Sequence, residues 1–264
     1  FFAWLEAAFA AGERVTELDV EVRLYEERAK DEDFVCESFN TIAAFNANGA
    51  LPHYRATQEA HSVIEGDGLL LIDSGGQYRG GTTDITRMVP VGAVSEAQRE
   101  DCTLVLKGMI ALSRARFPEG IAASRLDALA RAPLWATGRD YGHGTGHGVG
   151  YFLNVHEGPQ VISSGASVAE HTAMREGMIT SNEPGVYRPG QWGVRIENLV
   201  ANRAAAPSDF GDFLEFETLT LCPIDTRCLN LFTLDQAEID WLNAYHDEVR
   251  RRLRLTLKRA EQNP

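Results

Sequence analysis

Cysteine is scarce in this sequence: four in 264 residues, at positions 36, 102, 222 and 228, with no pair in CxxC spacing. A chain of this length needs no covalent staples, so reduced thiols and a cytoplasmic setting fit best, with a Cys222–Cys228 bridge left open. Long apolar runs are also missing, which excludes a helical membrane span and argues for a soluble chain with no membrane partner. Basic residues are outnumbered, 25 Lys and Arg against 38 Asp and Glu, for a net charge of −13. A general nucleic-acid partner is disfavoured, because phosphate binding needs a basic surface. The opening "FFAWLEAAFAAGERVTE" has no initiator Met, no basic leader and no small-residue cleavage site. A signal peptide is therefore not expected, and a natural chain extending further on that side stays open.

What is present is apolar mass: 44% of residues are hydrophobic, enough for one large core, and we read residues 1–264 as a single domain. Thr16 and Asp19 stand in capping-box spacing, as do Ser95 and Gln98, and each pair predicts a helix. Another helix is expected from Ser124, and an amphipathic one closes the chain with Ile239, Leu242, Tyr245, Val249 and Leu253 on one stripe. "NTIAAFNANGALPHYRA" reads as loop plus strand, with His53 near a strand end. "GLLLIDSGGQYRGGTTDITRMVPVG" and "EGMITSNEPGVYRPGQWGVRIENLVAN" each read as strand, turn, strand, and "FLEFETLTLCPID" as a further strand. Strands and long helices come in blocks rather than βαβ units, which favours the α+β class.

The two hairpins echo each other. "DSGGQYRGG" from Asp73 resembles "EPGVYRPGQ" from Glu183, and a second acid follows each, Asp84 and Glu197. Asp73 ends the apolar run "LLLI", where a carboxylate is costly unless it is paired or binds a metal. Hairpin geometry lets Asp73 face Asp84 and Glu183 face Glu197. Superposed about a pseudo-twofold, the four acids would carry a charge of −4 at one centre, which two divalent cations neutralise. Oxygen-rich ligation with one imidazole favours Mn2+, Co2+ or Fe2+ over a structural zinc site.

"YGHGTGHGVGYFLNVHEGP" supplies His143, His147 and His156 among glycines, which let backbone approach a site without Cβ clashes. One histidine would complete a metal shell and the others would stand around a substrate as donors or proton carriers. Residues two apart on a strand share a face, which puts Arg195 beside Glu197 and Thr86 beside Asp84 as outer groups around the acids.

Together with "HY" at His53–Tyr54, these motifs resemble the catalytic domain of aminopeptidase P (X-Pro aminopeptidase), the proline-specific branch of the pita-bread metallopeptidases. The resemblance runs over nearly the whole chain. It implies a pseudo-twofold antiparallel sheet flanked by helices, and a homodimer. It implies two divalent ions, Mn2+ favoured with Co2+, Fe2+ or Zn2+ as alternatives. Asp73 would serve one ion, His147 and Glu183 the other, and Asp84 and Glu197 both. His53, His143 and His156 match substrate-side histidines, with His156 as proton carrier and Glu183 also catalytic. The implied reaction is hydrolysis of the N-terminal X-Pro bond in peptides with proline second. The competing readings are a prolidase limited to X-Pro dipeptides and a non-catalytic peptide-binding module of the same fold. Longer members carry N-terminal creatinase-like domains that this sequence does not include.

Overall fold

A computed structural model of the protein describes residues 1–254 and 256. It opens with α1 (Phe2–Ala10), a helix without a side-chain cap that sequence signals did not announce. The Thr16–Asp19 capping box then forms and starts α2 (Glu17–Arg28). Strands β1 (Phe34–Glu37) and β2 (Ile42–Phe45) follow. His53 is not near a strand end: a 3-10 turn over Asn46–Ala50 separates it from β2.

The first hairpin comprises β3 (Gly68–Ser74), β4 (Gly76–Tyr78), β5 (Gly81–Thr82) and β6 (Ile85–Val91). The second Ser–Gln capping box starts α3 (Glu96–Ser113), and β7 (Arg116–Pro118) follows it. The helix expected from Ser124 begins as a 3-10 turn over Ala123–Leu126 and becomes α4 (Asp127–Trp135). Short strands β8 (Gly146–His147) and β9 (Val161–Ile162) carry the histidine-rich segment. The second hairpin comprises β10 (Ile179–Asn182), β11 (Gly185–Arg188), β12 (Trp192–Arg195) and β13 (Asn198–Ala204). Finally β14 (Phe213–Thr218) joins β13, and α5 (Gln236–Leu253) closes the described chain, capped by Asp235 and Glu238. The expected closing helix was read through Leu255, which lies outside the described residues.

Strand β3 explains why "LLLI" is apolar throughout. It runs between β2 and β6, and its two faces enter two cores. Leu69 and Leu71 pack with α3, α5 and the second hairpin, including Val186, Val194 and Ile196. Leu70 and Ile72 pack with α1 and α2. Asp73 shares the parity of Leu69 and Leu71, so it points toward the second hairpin. All four cysteines are free, and Cys228 lies buried beside Cys102 rather than bridged to Cys222. No described helix is long and apolar enough to cross a membrane.

Candidate metal centre

Each hairpin is a long ribbon interrupted at its acids. In the first, Asp73 stands opposite Thr86, not Asp84. The register continues through Gln77 opposite Thr82, which leaves Asp84 diagonal to Asp73. In the second, Asn182 pairs Asn198 and Gly185 pairs Arg195, so Glu183 and Glu197 fall directly opposite each other. The expected face-to-face pairing therefore holds for the second ribbon only, and the echo between the ribbons is offset by two residues. A main-chain bond from Glu197 N to Thr86 O joins the two ribbons where the acids meet.

His147 enters from β8. Its ring Nε2 is 3.5 Å from Asp84 Oδ2 and 3.3 Å from Glu183 Oε1. Nδ1 donates to Gly148 O at 2.9 Å, which turns Nε2 toward the acids, the usual way a ligating imidazole is oriented. The backbone needs glycine to get there: a Cβ on Gly146 would lie 1.9 Å from Ser181 O. Candidate ligand atoms of Asp84, His147 and Glu197 all lie within 4.8 Å of one another. Asp73 and Glu183 border this trio closely enough for their charges to act on it.

The donor set fits divalent cations. Among the described residues Asp73 Oδ1 is buried with no hydrogen-bond partner, a costly state for a carboxylate oxygen unless something positive faces it. Burial, reinforced by Asp84, Glu183 and Asp73, pushes Glu197 well above the ordinary carboxylate range. Burial likewise lifts Asp84 to about 7 and raises Asp73, although the His147 hydrogen bond and Arg195 respectively pull them back. Burial would lower His147, but Asp84 and Glu183 overcome it and take the ring to about 10. Glu183 goes the other way, burial being outweighed by His147. Raised carboxyls are what burial does to acids that lack enough positive charge around them.

Outer groups cross between the ribbons. Thr86 Oγ1 donates to Glu197 Oε2 at 2.8 Å, and Arg195 Nη2 donates to Asp73 Oδ2 at 2.6 Å. Each was expected to serve the acid two residues along its own strand; each instead serves an acid of the opposite ribbon. Arg195 also donates to Thr86 Oγ1 and to Tyr187 Oη at 2.7 Å, and Tyr187 Oη meets His143 Nε2 at 2.8 Å. The other His143 nitrogen bonds Gly144 O, so both its ring atoms are engaged, and its link to the acids runs through Tyr187 and Arg195. His156 is different: its ring meets His147 edge-on at 4.2 Å, and no hydrogen bond occupies it among the described residues. His53 is exposed, and close enough to His156 for its charge to act on that ring.

A buried pair on α4 holds the glycine-rich segment. Asp127 accepts from Thr145 Oγ1 at 2.6 Å and from Ser164 N at 3.0 Å, while Arg131 donates to Tyr141 O and His143 O. Sequence reading missed this pair, although Asp and Arg four apart on a helix were there to be seen.

The sequence profile of metallopeptidase family M24 matches residues 2–203, and that of the C-terminal region of M24 peptidases matches residues 212–263. The chain belongs to metallopeptidase family M24. It has the pita-bread fold of that family, in agreement with the α+β expectation. As an M24 member it is 48% identical over 252 residues to aminopeptidase P2 of Arabidopsis thaliana, covering 94% of this chain and 35% of that protein. It is 44% identical to a probable Xaa-Pro aminopeptidase P of Tuber melanosporum, covering 94% of this chain and 40% of the relative. Among M24 structures, X-prolyl aminopeptidase of Caenorhabditis elegans, described as a cytosolic enzyme with a di-nuclear active site, superposes with a TM-score of 0.92 at 39% identity. That match covers 99% of this chain and 43% of the other. Prolidase of Pyrococcus furiosus gives 0.63 at 33% identity over 75% of this chain and 57% of its own. The chain thus spans well under half the length of its curated M24 relatives.

If this M24 site holds cations, metal-stripped protein gains stability on adding them. Mn2+ at about 100 times its Kd adds about 2.7 kcal/mol, a rise in Tm of roughly 5–10 °C. A melting curve that ignores Mn2+, Co2+ and Zn2+ alike would contradict the ligand set.

Proposed function

We propose that this protein hydrolyses the bond between the first residue and proline in peptides with proline second, as an X-Pro aminopeptidase using two divalent cations, Mn2+ favoured. The observation that supports it most is the convergence of Asp73, Asp84, Glu183 and Glu197 with a correctly turned His147. The names of its aminopeptidase P relatives supply the substrate class. Asp73, Asp84, His147, Glu183 and Glu197 would hold the ions. Cations bound there supply an activated water and polarise a carbonyl.

The side chains do the rest. Glu183 accepts the proton of the attacking water on a carboxylate oxygen, with Oε1 steadied by Ser181 Oγ at 3.1 Å. The leaving proline nitrogen has no N–H, so it must gain a proton as the bond breaks. The proton that Glu183 takes from the water passes to that nitrogen by way of His156, whose ring nitrogens hold no hydrogen bond among the described residues, and His53 is near enough for its charge to act on this ring. His143 acts through Tyr187 to hold Arg195 on Asp73. Arg195 and Thr86 keep Asp73 and Glu197 aimed at the centre. The same reading includes a homodimer, which sedimentation tests, and a cytosolic setting like that of the C. elegans enzyme.

Prolidase is the second reading, because structures of that name share the fold. The closer superposition on an X-prolyl aminopeptidase favours the first. Arg-Pro-Pro and an X-Pro dipeptide decide between them. We expect release of Arg from the tripeptide at a kcat/KM at least about tenfold above that for the dipeptide. Preference for the dipeptide makes the protein a prolidase, and turnover of neither sinks both readings.

A further inference from the structure

Glu17 is a buried acid that the site chemistry leaves unused. It lies in the first turn of α2 with no exposed surface. An acid is welcome at a helix start, but a solvated one would serve the dipole equally well, and burial costs several kcal/mol unless the charge is answered. No Lys or Arg pairs with it among the described residues. Its partners are all neutral donors from one stretch of chain: Phe45 N at 2.7 Å, Asn48 Nδ2 at 3.0 Å, Tyr54 Oη at 2.8 Å and Ser62 N at 2.7 Å. The excursion from Phe45 to Ser62 is thus pinned at its entry, its 3-10 turn, its middle and its exit by one carboxylate.

His53 sits in that excursion and makes no hydrogen bond of its own among the described residues. Its place is inherited from the next residue, whose amide closes a turn on Leu51 O at 3.0 Å and whose hydroxyl ends on Glu17. The far side of the excursion presses on the second ribbon. A Cβ on Gly193 would lie 1.7 Å from Gly49 O, so the two backbones touch. Fixed on one side by Glu17 and on the other by the ribbon bearing Glu183 and Glu197, the segment sets the place of His53, within range for its charge to act on His156.

We infer that Glu17 and Tyr54 are positioning residues, which set the place of His53 beside the metal centre so that it meets the peptide. The inference rests on the X-Pro aminopeptidase reading. Neither residue touches substrate; both act through His53. A merely structural role predicts that their effects do not depend on what stands at position 53, so a double-mutant cycle separates the two.

Tyr54→Phe and Glu17→Gln are each made with His53 and with His53→Ala, and kcat/KM on an X-Pro-X peptide is measured beside Tm. With His53 in place we expect Tyr54→Phe to lower kcat/KM about fivefold, and Glu17→Gln about tenfold or more. In the His53→Ala background Tyr54→Phe changes it less than about twofold. Tyr54→Phe removes one of four donors and keeps the fold, so the cycle stands even if Glu17→Gln does not fold. Equal effects in both backgrounds, with an active wild type, overturn this inference alone. A wild type that binds Mn2+ yet hydrolyses no X-Pro peptide overturns the functional reading and the role of His53 with it.

Discussion

Glu183→Gln is expected to lower kcat for an X-Pro-X peptide by about 10³-fold, with the protein still folded. The substitution keeps the size of the side chain and the contact with Ser181, but removes a charge from the centre and the basic oxygen near His147. On the proposed reading, cation affinity and the proton acceptor are lost at once. KM changes are expected to be secondary, because the proposed mechanism puts Glu183 with the reacting atoms rather than along the peptide. Metal content by mass spectrometry and single-turnover rates at saturating Mn2+ separate the two losses. Turnover within about tenfold of wild type, where a general base alone contributes 10²–10⁴, rejects Glu183 as ligand and base together.

The second large effect is on stability. Arg87 is buried and makes its hydrogen bonds with neutral acceptors from four parts of the chain. It donates to Thr86 O and Glu197 O with Nη1, to Asn198 Oδ1, Cys222 O and Tyr245 Oη with Nη2, and to Pro223 O with Nε. One guanidinium therefore ties the first ribbon to the second and both to α5. Arg87→Met leaves several buried acceptors without donors, at roughly 1–3 kcal/mol each before relaxation, and we expect a net loss of about 4 kcal/mol. Tm falls by about 10 °C, read by calorimetry on metal-stripped protein so that cation binding does not mask it. A change under about 1 kcal/mol would mean that water replaces the guanidinium.

Sequence alone carried the helices whose caps are chemical: Thr16 with Asp19 and Ser95 with Gln98 bond as their spacing demands. It missed α1, which has no side-chain cap to announce it. It also carried the acids, because a carboxylate at the end of "LLLI" is anomalous on any reading. What it could not carry was register. A two-residue offset decides whether acids on one ribbon face or sit diagonally, and nothing in "DSGGQYRGGTTDIT" states which Gly is crossed. The partners of Thr86 and Arg195 were out of reach for the same reason: parity fixes a face of one strand, and both residues bond across to another. Arg87 carries no sequence signal of its role, and only the approach of β13 and α5 shows what it holds together. The glycine-rich segment alone does not tell His143, His147 and His156 apart, and only the resemblance gave them separate roles; in the structure Tyr187 meets His143, the acids meet His147, and His156 holds no hydrogen bond among the described residues.

The crosswise bonds of Arg195 to Asp73 and of Thr86 to Glu197 have one more implication. Neither half of the molecule owns a finished set of aimed carboxylates, since the residue that orients each lies in the complementary half. Severed between α3 and β7, the two pieces would each be mute toward cations, and only their reassociation would restore capture. On the proposed reading, cation capture is a property of the seam.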